Sequence, residues 1–247
     1  MSAMTLYLIG LGLWDKEDIT IKGFNTIKNC DEVYLEHYTS QLGCSVEELE
    51  SFYGKSVTLC NREFIEGNIE KIVEMAKEKN IALLIVGDPF GATTHLEYVL
   101  EARKQNVTVE IIHNTSILNA VGEIGLELYK FGRTVSIPFD HEKITSPIEG
   151  IKQNLAANLH TLVLLDLNPG EKRFLQIPDA CKYMQEKGLK SDQLVVGIAG
   201  LGSTNPQIKV TTLAKMQKET FAKVPQCVIV VANSMHFKEE EALQRFA

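Results

Sequence analysis

A chain of 247 residues with 45% hydrophobic content is long enough to form one large domain or two smaller ones around a real core, which excludes a disordered chain. Its net charge of −7, from 25 basic against 32 acidic side chains, argues against bulk nucleic-acid binding, which draws affinity from a basic surface that releases counterions. The cysteines at 30, 44, 60, 181 and 227 are odd in number and show no C-x-x-C spacing, which fits a reduced intracellular protein better than a disulfide scaffold.

The first apolar segment is too short for a membrane span and has no basic region ahead of it, so neither an anchor nor a signal peptide is expected. The chain is read as soluble and cytoplasmic, and Met1-Ser2-Ala3, ahead of a second methionine at Met4, carry no argument. Leu6–Ile9 reads as a strand running into Gly10-Leu11-Gly12-Leu13-Trp14-Asp15. This loop is not a dinucleotide fingerprint, because the third glycine is missing and the helix starts only after Asp18-Ile19-Thr20; a phosphate-binding Gly-Lys-Ser/Thr loop is absent as well. A second strand is expected over Glu32–Leu35, and Ser45-Val46-Glu47-Glu48 has the form of a capping box that starts a short helix before Tyr53-Gly54. Ile69, Ile72, Val73 and Ala76 keep helical spacing.

Ile81 to Val86 is a run of six apolar residues, the pattern of a strand buried on both faces. It leads into Gly87-Asp88-Pro89-Phe90-Gly91-Ala92-Thr93-Thr94-His95, which places a carboxylate directly after a strand end, with glycines that let the backbone approach a ligand and threonines suited to cap a helix beginning near Leu96. Ligands of open α/β sheets bind outside the carboxyl ends of the strands. A purely structural turn would also use Gly-Asp-Pro. Further strands are expected near Val109–Ile112, Thr134–Ile137, Leu162–Leu167, Leu194–Ala199 and Val228–Ala232, and Ile117, Leu118, Val121, Ile124 and Leu128 form a helical stripe read as core. The fold class is α/β. His113-Asn114-Thr115-Ser116 is the expected boundary between an N-terminal domain over 1–115 and a C-terminal domain over 116–247, two α/β halves with a ligand cleft between them.

None of the six histidines forms His-Glu-x-x-His or pairs with cysteines at zinc spacing, so no metal is expected. His95 and His113 either line a ligand site or are hydrogen-bonded structural residues, and His236 reads as a helix-entry or interface residue before Glu239-Glu240-Glu241. The absence of Gly-x-Ser-x-Gly removes the α/β-hydrolase reading. Leu13, Ile117, Leu165 and Leu201 sit next to polar residues at strand ends; they either pack in the core or clasp a flat apolar group such as adenine.

Several segments together are similar to the diphthine synthase family, within the tetrapyrrole methylase fold group. They are Leu6 through Leu13, Asp18-Ile19-Thr20, Tyr38-Thr39-Ser40, Val86 through His95, His113 through Ile117, Asn119-Ala120-Val121-Gly122, Leu128 through Gly132, and His160 through Asp166. The resemblance implies an S-adenosylmethionine-dependent methyltransferase that acts on a modified histidine of translation elongation factor 2 in diphthamide biosynthesis, releases S-adenosylhomocysteine and works as a homodimer. Eukaryotic-type members trimethylate the amino group and also esterify the carboxylate. Carried over position by position, the cofactor contacts fall on Leu13, Asp88, Gly91, Ser116, Ile117, Leu165, Leu201 and Cys227. The chain departs from the family pattern at Trp14, where glycine is common, at Gly200, where arginine is common, and at Cys227, where histidine is common; Asn168 to Leu189 is shorter than in animal relatives.

A sulfonium methyl donor needs in-line placement more than covalent help, and proximity supplies up to about 7–11 kcal/mol of such a barrier. No nucleophile is therefore expected, and no residue is singled out as a base or other catalytic group. Two rivals stay open at this stage. A tetrapyrrole methyltransferase would want a basic cleft for a polyanionic macrocycle; a nonenzymatic adaptor would keep the nucleotide-like ligand but transfer no methyl group.

Overall fold

In the computed structural model, residues 4–38 and 40–247 are described, so residues 1–3 and Thr39 of the Tyr38-Thr39-Ser40 segment lie outside the described residues. The chain separates into two compact units, Met1–Leu118 and Asn119–Ala247. Among the described residues no helix is long and apolar enough to cross a membrane.

The first unit contains β1 (Thr5–Gly10), α1 (Ile21–Lys28), β2 (Glu32–Glu36), α2 (Val46–Tyr53), β3 (Thr58–Cys60), α3 (Arg62–Gly67), α4 (Ile69–Met75), β4 (Ile81–Ile85), α5 (Leu96–Gln105) and β5 (Thr108–Ile112). Its strands form one parallel sheet in the order β3-β2-β4-β1-β5. Side chains alternate across a strand, so the apolar run of β4 feeds two cores. Ile81, Leu83 and Ile85 pack with Leu6, Leu8, Ile72, Val73 and Tyr98, whereas Ala82 and Leu84 pack with Ile9, Val33, Leu35, Leu49 and Tyr53. Thr20 caps α1 by accepting from Gly23 N–H, and the Ser45–Glu48 capping box starts α2, which ends on Gly54 in the left-handed conformation.

The second unit follows α6 (Ile117–Ala120), which straddles the boundary. It contains β6 (Val135–Ile137), α7 (Ser146–Ala156), β7 (Thr161–Leu165), β8 (Leu167–Asn168), β9 (Arg173–Phe174), α8 (Ile177–Glu186), β10 (Leu194–Ala199), β11 (Gln207–Thr212), α9 (Leu213–Met216), β12 (Gln226–Val230) and α10 (Phe237–Leu243). Its main sheet has the order β11-β10-β12-β7-β6, parallel only between β6 and β7, and β8 and β9 form a separate antiparallel pair.

All eight expected strands are present, with ends that differ by at most two residues. Four short or polar strands were not anticipated: β3, β8, β9 and β11. β11 reads QIKVTT and is half-buried throughout, so its pattern shows neither clean alternation nor an apolar run. Two other expectations are corrected. Leu118 and Leu128, read as core, are exposed, because the stripe breaks into the short α6 and two 3-10 turns (Val121–Ile124 and Leu128–Lys130) that cannot keep one face inward. The threonines do not cap α5; its first flanking residue is His95, with no side-chain cap, and the Thr93 hydroxyl donates instead to Pro89 O at 2.6 Å.

A buried charge network fixes α10 to the second sheet. Ala232 N–H donates to His160 Nδ1 at 3.0 Å, so the ring's proton sits on Nε2 and is given to Glu239 Oε1 at 2.9 Å. The same carboxylate accepts from Glu127 N, Lys130 Nζ at 2.7 Å and His236 N. Burial alone would raise the Glu239 pKa, but the Lys130 ammonium and the hydrogen bonds from His236, His160 and Glu127 outweigh it and hold it at about 2. Burial, against the pull of Glu239, lowers the His160 pKa and keeps the ring neutral. Both groups therefore add stability above their ordinary pKa values of 6.5 and 4.5, and that stability is lost as pH falls, for Glu239 down to about 2. Glu239→Ala, which leaves Lys130 without its partner, is expected to cost about 3–5 kcal/mol in urea unfolding at neutral pH. The loss should shrink on acidification, and a variant as stable as the parent at neutral pH would remove the network from the fold's energetics.

Candidate functional site

The carboxyl ends of β4, β1 and β5, adjacent in the first sheet, bring three turns together. Gly12 and Gly87 exchange backbone hydrogen bonds, Gly87 N to Gly12 O at 2.7 Å and Gly12 N to Gly87 O at 3.2 Å. The Asn114 side chain, just past β5, donates to Gly10 O and to Asp18 O, each at 3.0 Å. The first turn is rigid in its own right, since Asp18 Oδ2 accepts from the backbone N–H groups of Leu13, Trp14 and Asp15.

Glycine is required where these turns touch. A Cβ at Gly10 would lie 2.6 Å from Gly87 O, and one at Gly91 would lie 2.9 Å from both Cβ and Oγ of Ser116. Trp14 turns its ring onto Gly43, where any Cβ would overlap the indole. The departure from glycine at position 14 is therefore absorbed by a backbone neighbour that has no side chain.

Asp88 lies in the middle of this arrangement, its side chain 16% exposed. Oδ1 accepts from Phe90 N at 2.9 Å; Oδ2 accepts from Asn114 N at 3.1 Å and lies 2.8 Å from His113 Nδ1. Burial pushes its pKa up, but the Phe90 amide, the His113 imidazole and the Asn114 amide outweigh that and hold the carboxyl below its ordinary value. An ionised carboxylate has about four lone-pair positions, and three are occupied here. One on Oδ1 is left to accept a hydroxyl or ammonium.

The eight carried-over positions fall into two groups. Leu13, Asp88, Gly91, Ser116 and Ile117 lie on the three strand-end turns, with Ser116 buried and Leu13 and Ile117 half-buried. In the second unit, Leu165 ends β7, Leu201 follows β10 between Gly200 and Gly202, both at positive φ, and Cys227 lies in β12 between Ile198 and Leu164. That register gathers the three at one end of the sheet, all buried. Desolvation pushes the Cys227 thiol up to about 12, so it acts there as a small apolar group. Asp166, beside Leu165, accepts from Phe139 N and Leu167 N and serves the local turn.

His113 pairs with Asp88, and His236 accepts from Lys238 N at the start of α10. His95 is 3% exposed and faces Glu36, the last residue of β2, which is 1% exposed. The ring Nε2 lies 2.7 Å from Glu36 Oε2. Sequence reasoning did not single out Glu36, Asn114 or Asp18. For Glu36 and Asn114 the available signal was position, because Glu36 ends β2 and Asn114 lies just past β5; Asp18 closes the 3-10 turn Lys16–Asp18 and carried no such signal.

The family model of the tetrapyrrole (corrin/porphyrin) methylases matches residues 5–217. The diphthine methyl ester synthase of Candida glabrata is 41% identical over 98% of this chain and 89% of that protein. That of Homo sapiens is 37% identical, over 98% of this chain and 95% of its own length. A solved crystal structure of diphthine synthase superposes with a TM-score of 0.93 at 38% identity, covering 98% of this chain and 96% of that one. With its fold and nearly its whole length matched, the chain belongs to the diphthine methyl ester synthase family of the tetrapyrrole methylases.

Proposed function

We propose that the chain transfers methyl groups from S-adenosylmethionine to the modified histidine of translation elongation factor 2, forming diphthine and then its methyl ester, as a cytoplasmic homodimer. The observation that carries this reading is identity of 37–41% along nearly the whole chain to proteins named for that ester. The cofactor, when bound, supplies a methyl group on a positively charged sulfur. The strand-end turns of the first unit fit it. Gly10, Gly12 and Gly91 let the turns pack on one another, and on those turns Leu13 and Ile117 offer half-buried apolar surface while Asp88 offers a fixed negative charge with an open acceptor position. Leu165, Leu201 and Cys227 complete the proposed set, as apolar groups suited to an adenine ring.

Mass spectrometry of elongation factor 2 carrying the unmethylated precursor, after incubation with this protein and S-adenosylmethionine, tests the activity. Mass gains in steps of one methyl group are expected, and no gain despite measured cofactor binding would overturn the reading. Asp88→Asn keeps the side chain's size but removes its charge. Loss of a charge-assisted hydrogen bond of about 1.5–3 kcal/mol should weaken cofactor affinity roughly tenfold to a hundredfold in calorimetry. Unchanged affinity in a folded variant would take Asp88 out of the site.

A further inference from the structure

The buried pair of His95 and Glu36 has no role in the cofactor site just described. Both side chains sit on the carboxyl side of the first sheet, Glu36 ending β2 and His95 closing the turn that begins at Gly87 and carries Asp88. The 2.7 Å approach of Nε2 to Glu36 sets ring against carboxylate without an aligned hydrogen bond, and Nδ1, also buried, has no hydrogen-bond partner among the described residues. Tyr98 stacks on the ring with 6.3 Å between centroids and is itself fixed by donating to Ile65 O at 2.7 Å. A buried polar nitrogen left open costs about 1–3 kcal/mol, so it calls for a partner that the described residues do not supply. An imidazole with a buried carboxylate beside one nitrogen and, among the described residues, no partner for the other is the arrangement of a general base. The carboxylate orients the ring, while the open nitrogen takes the proton.

We propose that His95, backed by Glu36, accepts the proton that the acceptor amine releases, directly or across one water. This rests on the function proposed above. In each N-methylation the ammonium gives up one proton, its nitrogen lone pair forms the new C–N bond, and the C–S bond breaks with its electron pair left on sulfur. Three such transfers release three protons, whereas attack by the carboxylate to form the ester releases none. The base is therefore needed for the amine steps and not for the ester step. Tyr98 on α5 and Tyr38 after β2 face Glu36, Cys60 of β3 and Arg62 and Glu66 on α3 lie near those tyrosines, and Asp88, at the far end of the same turn, pairs with His113 after β5. Of these, Arg62 is the one fixed cation, and it lies over the Tyr38 ring.

The test compares two acceptors, the factor with the unmethylated precursor and the factor already trimethylated. His95→Gln keeps an amide N–H for Glu36 but is no base. It should slow amine methylation about a hundredfold or more, while the ester step stays within about threefold of the parent. Glu36→Gln should slow the amine steps more than the ester step, because it removes the carboxylate that lies 2.7 Å from the ring and orients it. Independently of turnover, nitrogen-15 NMR of the parent chain above neutrality should show His95 with an unprotonated Nδ1 and a protonated Nε2. Equal loss of both steps would mark a structural role and overturn the proposal, as would an unchanged amine rate or a protonated Nδ1. If the parent chain transfers no methyl group to either acceptor, the function reading falls and this one with it; if the parent works on both and His95→Gln does too, only the base assignment falls.

Discussion

The strand-end region of the first unit depends on one constraint: three backbone turns must approach more closely than side chains allow. Two polar residues hold that approach. Asn114 spends its amide on carbonyls from the first turn and its following stretch, and Asp88 gathers donors from its own turn and from the residues after β5. The glycines are consequences of this closeness, because a Cβ at Gly10 or Gly91 would stand inside a neighbouring turn. The arrangement also decides the charge state of Asp88. Burial works against an ionised carboxylate, and it is the donors drawn in by the packed turns that reverse the outcome.

Comparing the two buried carboxylates separates a structural role from a binding one. Glu239 has four donors for its four acceptor positions, two on each oxygen, so its hydrogen-bonding capacity is spent inside the protein. Asp88 has three, and its unspent position is at the carboxyl end of a parallel sheet, where α/β proteins bind ligands. Counting donors against lone pairs thus divides two residues that both look, in sequence, like an acid beside a histidine.

The parts of the fold legible in the sequence were those written in long patterns. The six-residue apolar run made β4 plain because a strand buried on both faces needs no alternation, and the Ser45–Glu48 spacing made α2 plain because a capping box is a local bond. β11 was missed because a half-buried edge strand carries neither pattern, and the stripe from Ile117 to Leu128 misled because its spacing is helical while the chain turns every few residues. The position of Asp88 was legible as a carboxylate after a strand. Its donors were not, since His113 and Asn114 lie 25 and 26 residues away and only sheet order brings β5 beside β1 and β1 beside β4. The Glu36–His95 pair was hidden for the same reason: β2 and the turn after β4 meet only through the sheet.

The chemistry that such a chain can perform is limited as much by what burial suppresses as by what the turns present. Every cysteine thiol is pushed above its ordinary pKa, first of all by desolvation: Cys30 to about 11, Cys60, Cys181 and Cys227 to about 12, and Cys44 in the same direction. Since the thiolate and not the thiol is the nucleophile, none is set up for covalent catalysis near neutral pH. Methyl transfer from a sulfonium loses nothing by this, because the donor is already activated and the protein's task is to hold donor and acceptor in line. Proton removal is the one chemical service that an amine acceptor still requires, and it calls for a weak base kept from water and backed by a fixed charge. The thiols, held protonated, do not offer that; an imidazole against a buried carboxylate does.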